Sequence, residues 1–334
     1  MLQIPLPISP LQLRRRAIGA TDRSIKDAMR DAPSSLASAT VAVTGAGGFL
    51  GAVVARHLAA AGATVHAFAR RAPRLDDAVD GPIAGHTWDP TCDDGPPAPG
   101  LVVDAVIDCA ALLPSRESDE DTLSRVNRQL VEGALALAER SGGGKGRVVY
   151  MSSQSVYGRP DTAVIDASTS PAPDTAYGRA KLAGERMLAE AVAAGRIAGA
   201  VALRLPAVVG PGAHDNFPAT VAARLLRGET VTLFNPQGLY NAVVTAESVA
   251  AFSALLALQI DGFHAVSPAS SPPVTLTRAA EAIAAGLGRP LVAEVRPAPH
   301  ASPTIDPAAA VALGFRSERP EDLLRAFGRA CRPC

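Results

Sequence analysis

The chain has 334 residues, 48% of them hydrophobic, and its 32 basic residues balance its 32 acidic residues. That length is enough to bury the core of one large α/β domain and of a smaller companion domain. A formal net charge of zero creates no overall attraction to nucleic acid or to an anionic membrane, so we expect neither as a partner.

Signals for a membrane, for secretion and for a metal are weak. No segment approaches the roughly 18 uninterrupted apolar residues of a membrane span, and the opening MLQIPLPISPLQLRRR places its basic run after the apolar part. Four cysteines are too few for a disulfide framework, so we expect a cytoplasmic protein. Cys331 and Cys334 form a CxxC pair without a second pair or a histidine cluster, and no metal site is predicted.

Strands and helices alternate after an atypical start. Residues 1–38, a lead that contains Pro and Arg, are predicted to be an N-terminal appendage. From residue 39 the β-branched run ATVAVTG predicts a strand, and the following FLGAVVARHLAAAG is apolar at helical spacing. Further strands are predicted within residues 63–70, 101–111, 146–153 and 201–212, with a helix at 123–140. This alternation predicts an α/β fold, a Rossmann-type doubly wound parallel sheet that forms the core over residues 39–212.

The alternation weakens beyond residue 216, where TRAAEAIAAGLG and PEDLLRAFGRA predict short helices separated by loops. A subdomain that covers a nucleotide-binding core fits this change of pattern. We therefore expect residues 213–330 to form mainly a small C-terminal substrate-binding subdomain, from which some segments can return to the core.

Residues 44–51 read TGAGGFLG, with Gly45, Gly48 and Gly51 spaced as GxxGxxG between a predicted strand and a predicted helix. Glycine at these positions permits a tight turn and lets backbone N–H groups approach a pyrophosphate, whose charge the helix N-terminus favours. The motif predicts that the core binds a dinucleotide, NAD or NADP, through these glycines and through Phe49 and Leu50 in the same turn.

The end of the second predicted strand bears on the choice between the two cofactors. Folds that prefer NAD usually place an acid there to bond the ribose 2′-hydroxyl, whereas this chain reads Phe68, Ala69, Arg70, Arg71. A guanidinium can pair with a 2′-phosphate instead, so we expect Arg70 to bind NADP in preference to NAD. The alternative is that both arginines only solvate a loop.

Tyr177 and Lys181 stand four residues apart in AYGRAKLAGERMLAE, which places both on one face of a predicted helix. A phenol with a pKa of about 10 is a poor base at neutral pH, but a neighbouring ammonium and a bound nicotinamide cation both favour the phenolate. We expect Tyr177 to exchange a proton with the substrate, and Lys181 to lower its pKa and hold the nicotinamide ribose. A serine hydroxyl from the end of the preceding strand would share the substrate oxygen.

With these motifs the chain resembles the extended short-chain dehydrogenase/reductase superfamily, in its nucleotide-sugar epimerase and reductase branch. The resemblance spans residues 39–328 and rests on motifs that occur in the family's order: TGAGGFLG, DCAA at 108–111, RVN at 125–127, SSQSVYG, YGRAK, LRLPAVVGPG, DNFP at 215–218 and AVALGF at 310–315. It implies an NAD(P)-dependent enzyme in which the cofactor carries out the redox chemistry.

The resemblance also implies roles for single residues. In such proteins the second serine of SSxxVYG carries the chemistry, which indicates Ser153 as a catalytic residue that binds the substrate oxygen. Asp89 lies where the family often contacts adenine, and Ala110 and Ala111 lie where small residues pass the cofactor. Asn216 matches an asparagine that commonly meets the substrate diphosphate.

One departure from the family's pattern concerns the substrate. Where the family often has an arginine that clamps the diphosphate, YNAVVTAESVA offers Asn241. Arg supplies a bidentate grip on phosphate that Asn cannot, which weakens the argument for a nucleotide-sugar substrate. Ser152, Ser155 and Tyr157 are expected to pack in the turn, and Asn127 is expected to be a structural group inside a helix near the site.

These features predict reversible hydride transfer between NAD(P) and a secondary alcohol or ketone, with a nucleotide-linked sugar as the leading substrate, through 4-epimerisation or 4-keto reduction. A 4,6-dehydratase is not expected, because Gln154 and Ser155 stand where such enzymes have an Asp-Glu pair. The first alternative is an NADPH-dependent reductase of a small non-sugar carbonyl compound, and another is a non-catalytic NAD(P)-binding sensor. The expected partner is a small molecule, with a homodimer as the candidate assembly.

Overall fold

The computed structural model describes residues 36–71, 83–93, 95–141, 143–297 and 302–332. Nearly all of the predicted appendage, residues 1–38, lies outside these ranges, and so does Cys334. Within them the chain forms a large parallel sheet covered by helices on both faces, together with a smaller group of strands and helices. None of the helices in the described ranges has the length and hydropathy to cross a membrane.

The core is a parallel sheet whose strands come from most of the chain. In chain order, all the strands of the described residues are Thr40–Thr44 (β1), Thr64–Ala69 (β2), Ile83–Thr87 (β3), Ala105–Asp108 (β4), Arg147–Ser153 (β5), Val164–Ile165 (β6), Gly199–Leu205 (β7), Ala207–Val209 (β8), Val231–Phe234 (β9), Leu239–Tyr240 (β10), Val243–Thr245 (β11), Gly262–Val266 (β12), Val274–Thr275 (β13), Ala293–Arg296 (β14) and Thr304–Ile305 (β15), and seven of them form the core sheet. The core sheet has the order β12-β7-β5-β4-β1-β2-β3, and all its neighbouring strands run parallel. Its central strands are apolar and buried on both faces, as a covered parallel sheet requires.

Helices cover both faces of the sheet. The helices of the described residues are Phe49–Ala60 (α1), Glu120–Glu139 (α2), Ala176–Ala193 (α3), Phe217–Leu226 (α4), Ala246–Leu256 (α5), Leu276–Leu287 (α6), Ala308–Ala312 (α7) and Pro320–Ala330 (α8), and a 3-10 turn lies at Gln154–Tyr157. One face packs α1 and α5 around Leu58 and Phe252, and the other packs α2 and α3 around Leu135 and Leu188. The predicted Rossmann-type doubly wound sheet is therefore confirmed.

The strand order reverses between β1 and β4. The chain proceeds from β1 outward to β2 and β3, then returns to place β4 on the other side of β1. Thr44, the last residue of β1, pairs with Asp108, the last residue of β4, so the loops after both strands start at the same edge. Open α/β sheets bind ligands in the crevice at such a reversal.

The smaller group of elements has an apolar cluster of its own, which includes Leu225 of α4, Ile283 of α6 and Leu324 of α8. Three strand pairs brace this group, β8 with β11, β9 with β14 and β10 with β13. We call these helices and strands the subdomain. Two later segments, helix α5 and strand β12, lie in the core instead, because α5 packs with α1 and β12 pairs with β7.

Candidate functional site

A cavity of about 1890 Å³ lies between the carboxyl edge of the core sheet and the subdomain. We call the lining residues from the core strands, their loops and α3 the core side, and those from residue 207 onward the subdomain side. All the residues that the sequence predicts for the site line this cavity: Gly45, Gly48, Phe49, Leu50, Gly51, Arg70, Asp89, Ala110, Ala111, Ser153, Tyr177, Lys181 and Asn216.

The turn after β1 can only be made with glycine. Gly45 has a φ of +65°, and a Cβ built on it would lie 2.7 Å from the backbone N of Ala110. A Cβ on Gly51 would lie 2.3 Å from the carbonyl oxygen of Gly45. Gly48 caps α1 without a side-chain hydrogen bond, which leaves the first amides of the helix facing the cavity. This narrow, amide-rich turn fits the pyrophosphate of a dinucleotide.

The loops after β2 and β3 continue the core side. Ala69 ends β2, and Arg70 follows it as an exposed residue at the rim of the cavity. Asp89 follows β3, and its Oδ1 accepts hydrogen bonds from the N–H and the hydroxyl of Thr91, at 3.0 and 2.7 Å. Trp88 also lines the cavity, although no sequence motif indicates it.

The end of β5 separates its two adjacent serines. Ser152 is buried, and its Oγ donates to Glu185 Oε1 at 2.6 Å. Ser153 faces the other way, as alternate strand residues do, and its Oγ lies 2.9 Å from Ser155 Oγ. Ser153, Gln154 and Ser155 all line the cavity. Of the two strand-end serines, Ser153 therefore has the more direct access to a ligand.

Helix α3 presents Tyr177 and Lys181 to the same cavity. Its N-cap is Thr175, whose Oγ1 accepts from the N–H of Gly178 at 3.1 Å, so the helix begins just before the tyrosine. Lys181 Nζ lies 5.8 Å from the centre of the Tyr177 ring. The same ammonium donates to the carbonyl oxygen of Met151 at 2.8 Å, which ties the helix to β5.

Burial sets the protonation of this pair. Burial lowers the pKa of Lys181 to about 8, although the charge of Asp108 acts in the opposite direction. Burial also raises the pKa of the Tyr177 phenol above its usual value. This is the reverse of the direction expected from Lys181 alone, because the loss of hydration of a buried phenolate outweighs the attraction of an ammonium beside the ring.

A buried carboxyl group under the cavity was missed in the sequence. Asp108 ends β4 and is fully buried, with Oδ1 accepting from Thr44 Oγ1 and from the N–H of Ala110. Its Oδ2 has no hydrogen-bond partner among the described residues, and burial raises the pKa of this carboxyl. The signal was present, since a charged residue at the end of the apolar run LVVDAVID is unusual for a covered parallel strand.

Asn127 holds the loop that follows β4. It lies inside α2, where its side chain accepts from the N–H of Leu112 and donates to the carbonyl oxygens of Leu112 and Leu123, at 2.9 to 3.1 Å. These bonds fix the chain just beyond Ala110 and Ala111, the two small residues of the core side. The expected structural role of Asn127 matches these contacts.

Two asparagines of the subdomain differ in their access to the cavity. Asn216 lines it and caps α4, accepting from the N–H of Ala219 and donating to the carbonyl oxygen of Val208. Asn241 is only 1% exposed, and its side chain bonds the carbonyl oxygens of Ser270 and Ile305 and the N–H of Ile305. Asn241 therefore joins the segments around β11 and β15 rather than facing a ligand.

The subdomain side also carries apolar side chains that the sequence did not single out. Phe234 and Leu239 line the cavity and are 51% and 55% exposed. Phe217 and Tyr240 also line the cavity and stack edge to face, with ring centres 5.5 Å apart. No group of His, Cys, Asp and Glu in the described part of the chain is arranged to hold a metal ion.

A doubly wound sheet, a glycine turn at its strand reversal and a Tyr–Lys pair define a dinucleotide-binding protein of the Rossmann class. Residues 41–248 match the model of the NAD dependent epimerase/dehydratase family, and the chain belongs to that family. It is similar to dTDP-6-deoxy-L-talose 4-dehydrogenase (NAD(P)(+)) of Kitasatospora kifunensis, with 32% identity over 209 residues. That alignment covers 59% of this chain and 63% of the relative, less than two thirds of its length.

Solved structures show the same fold. The structure of MoeE5 in complex with UDP-glucose and NAD is 26% identical, with a TM-score of 0.70 over 87% of this chain and 98% of that one. UDP-glucose-4-epimerase from Stenotrophomonas maltophila, with bound NAD and formylated UDP-arabinopyranose, is 20% identical, with a TM-score of 0.72 over 88% of this chain and 98% of that one. The second likeness, at its lower identity, concerns the fold alone.

Proposed function

We propose that the protein is an NAD(P)-dependent oxidoreductase or epimerase that transfers hydride to and from a secondary alcohol or ketone of a nucleotide-linked sugar. The observation that carries this proposal is the cavity in which Ser153, Tyr177 and Lys181 face the glycine turn. A proton-transfer group, an ammonium and a hydroxyl hydrogen-bond donor thus surround a space large enough for a dinucleotide and a second ligand.

Each residue of the set has a distinct part in this reaction. The nicotinamide, when bound, supplies the hydride acceptor or donor. Tyr177 takes the proton of the substrate hydroxyl during oxidation and returns it during reduction, while the Ser153 hydroxyl bonds the same oxygen. Lys181 holds a positive charge near the phenol and binds the nicotinamide ribose. Because burial raises the pKa of Tyr177, the phenolate depends on that charge and on the cation of the oxidised nicotinamide.

The core side would hold the cofactor. Gly45, Gly48 and Gly51 would receive the pyrophosphate, and Phe49 and Leu50 would contact it at the start of α1. Asp89 would lie beside the adenine, with Ala110 and Ala111 along the dinucleotide.

Cofactor choice would depend on the rim of this side. We propose NADP as the preferred cofactor, because Arg70 follows β2 where no acid is available for the ribose 2′-hydroxyl. The relative from Kitasatospora kifunensis is named for NAD(P)(+), which accommodates either cofactor, and MoeE5 was solved with NAD.

Hydride transfer without elimination is the proposed reaction type. Gln154 lines the cavity beside Ser153, and its amide cannot exchange a proton at neutral pH. Ser155 bonds Ser153 and lacks a base of its own among its hydrogen-bond partners in the described residues. This pair therefore supports epimerisation or 4-keto reduction rather than loss of water.

Similar proteins that act on or bind nucleotide sugars support this substrate class, and so does Asn216, which lines the cavity and keeps one amide hydrogen beyond its bond to Val208. One observation favours a second candidate, an NADPH-dependent reductase of a small non-sugar carbonyl compound. Asn241, at the position expected to clamp a diphosphate, is buried and fully engaged with backbone groups. The apolar Phe234 and Leu239 suit a substrate without phosphate equally well.

The test is turnover with defined substrates. The purified protein is incubated with dTDP-6-deoxy-L-talose, UDP-glucose or UDP-galactose and with NAD+ or NADP+, and the reduced nicotinamide and the sugar products are measured. We expect a 4-keto sugar or a 4-epimer from at least one of them. Turnover of small ketones with NADPH, and of none of the sugars, would support the second candidate and overturn the first.

A further inference from the structure

A buried ion pair lies directly behind the candidate site. Glu185 stands on α3 one turn beyond Lys181, and Arg204 stands on β7; their side chains are 3% and 11% exposed. The contact is bidentate, since Arg204 Nη2 donates to Glu185 Oε2 at 2.7 Å and Arg204 Nε donates to Glu185 Oε1 at 3.1 Å. Neither residue lines the cavity, so the pair does not directly contact the space of the candidate site.

The pair is joined to the turn that follows Ser153. Arg204 Nη1 donates to the Tyr157 hydroxyl at 3.0 Å, and that hydroxyl lies 2.9 Å from Ser267 Oγ, just after β12. Tyr157 is the last residue of the 3-10 turn that Ser153 caps. One guanidinium thus connects the catalytic helix, the strand β7 and the turn beneath the candidate serine.

Three successive residues of β5 complete the connection. The Met151 carbonyl oxygen accepts from Lys181, the Ser152 hydroxyl donates to Glu185, and Ser153 faces the cavity. Ser152 is also the register partner of Arg204 in the sheet. Strand β5 therefore bonds two consecutive turns of α3, one through Lys181 and one through Glu185. Arg204 in turn fixes the orientation of the Glu185 carboxylate, which accepts the hydrogen bond from Ser152.

A buried charge pair of this kind is a weak source of stability, because dehydration of both ions offsets much of their attraction. Its geometry is nevertheless strict, since a guanidinium fork fits a carboxylate in one plane. The Glu185–Arg204 contact therefore constrains the orientation of α3 against β7, which apolar side chains at the same positions would not do.

We propose that Glu185 and Arg204 are positioning residues that fix α3 against β5, so that Tyr177 and Lys181 meet Ser153 and the nicotinamide end of the cofactor. This inference rests on the proposed function. It assigns a role to three groups that the sequence predicts only to pack or does not single out, namely Ser152, Tyr157 and the ion pair itself. Loss of the pair should therefore affect the nicotinamide end of the cofactor site and leave the adenine end unchanged.

The experiment compares two double variants. Glu185→Met with Arg204→Met replaces both charges by side chains of similar length, which avoids leaving one ion buried alone. The matched control is Glu120→Met with Arg179→Met, which removes an exposed Glu–Arg pair that joins α2 to α3; its N and O atoms are 2.8 Å apart, and its side chains are 68% and 50% exposed. Arg204→Lys is the conservative variant, because it keeps the charge and loses the fork.

Binding of NAD+ and of ADP, measured by calorimetry, separates positioning from general loosening. In the buried double variant we expect NAD+ to bind roughly 10-fold more weakly and ADP to bind within about twofold of the wild type. At saturating NAD+, kcat on the sugar that the wild type uses should fall by roughly 10-fold or more. Arg204→Lys should show a smaller loss of both, and the control should match the wild type.

Two results would overturn the positioning role: unchanged NAD+ affinity in both the buried double variant and Arg204→Lys, or equal weakening of NAD+ and ADP in a chain of lowered thermal stability. If the double variant does not fold, Arg204→Lys alone tests the positioning role, through its loss of NAD+ affinity relative to its loss of ADP affinity. Failure of the proposed function is distinguishable, since it would appear in the wild type as neither NAD+ nor NADP+ binding more tightly than ADP and as no turnover of any sugar.

Discussion

The two sides of the cavity differ in the kinds of groups that line them. The core side is mostly backbone and small residues, such as the turn from Gly45 to Gly51 and the alanines after β4, placed by parallel strands that end at one edge. The subdomain side is made of larger side chains on short strands and a helix start, among them Phe234 and Leu239. Rossmann folds that act on different substrates bind the same kind of dinucleotide, which requires a fixed backbone turn. The substrate is selected by a few side chains that can change without disturbing the sheet.

Two asparagines of the subdomain extend this contrast. Asn216 and Asn241 both lie where a substrate diphosphate is expected from the resemblance, yet both amides bond the backbone of the subdomain itself. On the core side, by comparison, the amides of the first turn of α1 have no side-chain cap. The amides of the glycine turn are thus left open for a ligand, whereas these two asparagines mostly bond the subdomain itself.

The largest effect should come where the two sides meet, at Tyr177. Tyr177→Phe removes only the hydroxyl, so we expect kcat to fall by about 1000-fold, within the range for loss of an acid–base group, with NAD(P) affinity unchanged. Steady-state kinetics with calorimetric cofactor binding measures both quantities. Wild-type turnover in this variant would show that the proton moves through another group.

The second prediction concerns the core side and tests whether the buried ammonium of Lys181 lowers the free energy of unfolding. The pKa of Lys181 is about 8, against 10.5 for the free side chain, so the folded chain loses this proton at lower pH than the unfolded chain. The free-energy cost of burying this charge is therefore complete below pH 8 and disappears as the pH rises to 10.5. Lys181→Met should therefore be more stable at neutral pH by on the order of 3 kcal/mol, while losing activity.

Chemical denaturation of both chains at neutral pH and near pH 10 measures this difference. The wild-type free energy of unfolding should rise with pH relative to that of Lys181→Met. A variant less stable than the wild type at neutral pH would contradict the buried charge as a cost.

The third prediction concerns the subdomain side alone. Asn241→Ala leaves the backbone groups of Ser270 and Ile305 without their partner, so we expect a loss of about 2 kcal/mol in the free energy of unfolding. Cofactor affinity should stay the same, because these contacts lie outside the core side. Asn241→Arg provides the sharper form of the test: we expect destabilisation without tighter binding of UDP-glucose, and tighter binding in a folded variant would contradict the structural role.

The smallest expected effect is on cofactor choice at the rim of the core side. Arg70→Ala should weaken NADP binding by at least 10-fold, about 1.5 kcal/mol, the size of one hydrogen bond to a charged group, with little change for NAD. Parallel calorimetric titrations with NADP+ and NAD+ give the ratio. Ala69→Asp should shift the preference toward NAD, and equal losses for both cofactors in Arg70→Ala would remove Arg70 from the assignment.

Features that depend on neighbours in sequence could be predicted, and features that depend on strand register could not. The glycine turn and the spacing of Tyr177 and Lys181 are local, and the alternation of apolar runs predicted the fold class. The role of Asn241 depends on contacts with residues 29 and 64 positions away. The ion pair of Glu185 and Arg204 exists because β5 and β7 align Ser152 with Arg204, which no local pattern encodes.

The direction of the Tyr177 pKa shows the same division. Sequence spacing correctly placed an ammonium on the same helix face, but the extent of burial is a property of the packed core and determines the shift. The sequence shows that a charged residue ends the apolar run at residue 108, but the position of Asp108 beneath the site depends on β4 lying beside β1 and beside the helix that carries Lys181.

The most direct test of the central claim follows the hydride itself. The protein is incubated with NADPH or NADH carrying deuterium at the transferable position of the nicotinamide, together with the 4-keto form of dTDP-6-deoxy-L-talose, and the product is weighed by mass spectrometry. We predict a reduced sugar that contains one deuterium and has lost no water, formed by the wild type and about 1000-fold more slowly by Tyr177→Phe. A product that has lost water, or a reduced sugar that carries no deuterium, would contradict hydride transfer from the nicotinamide at this site.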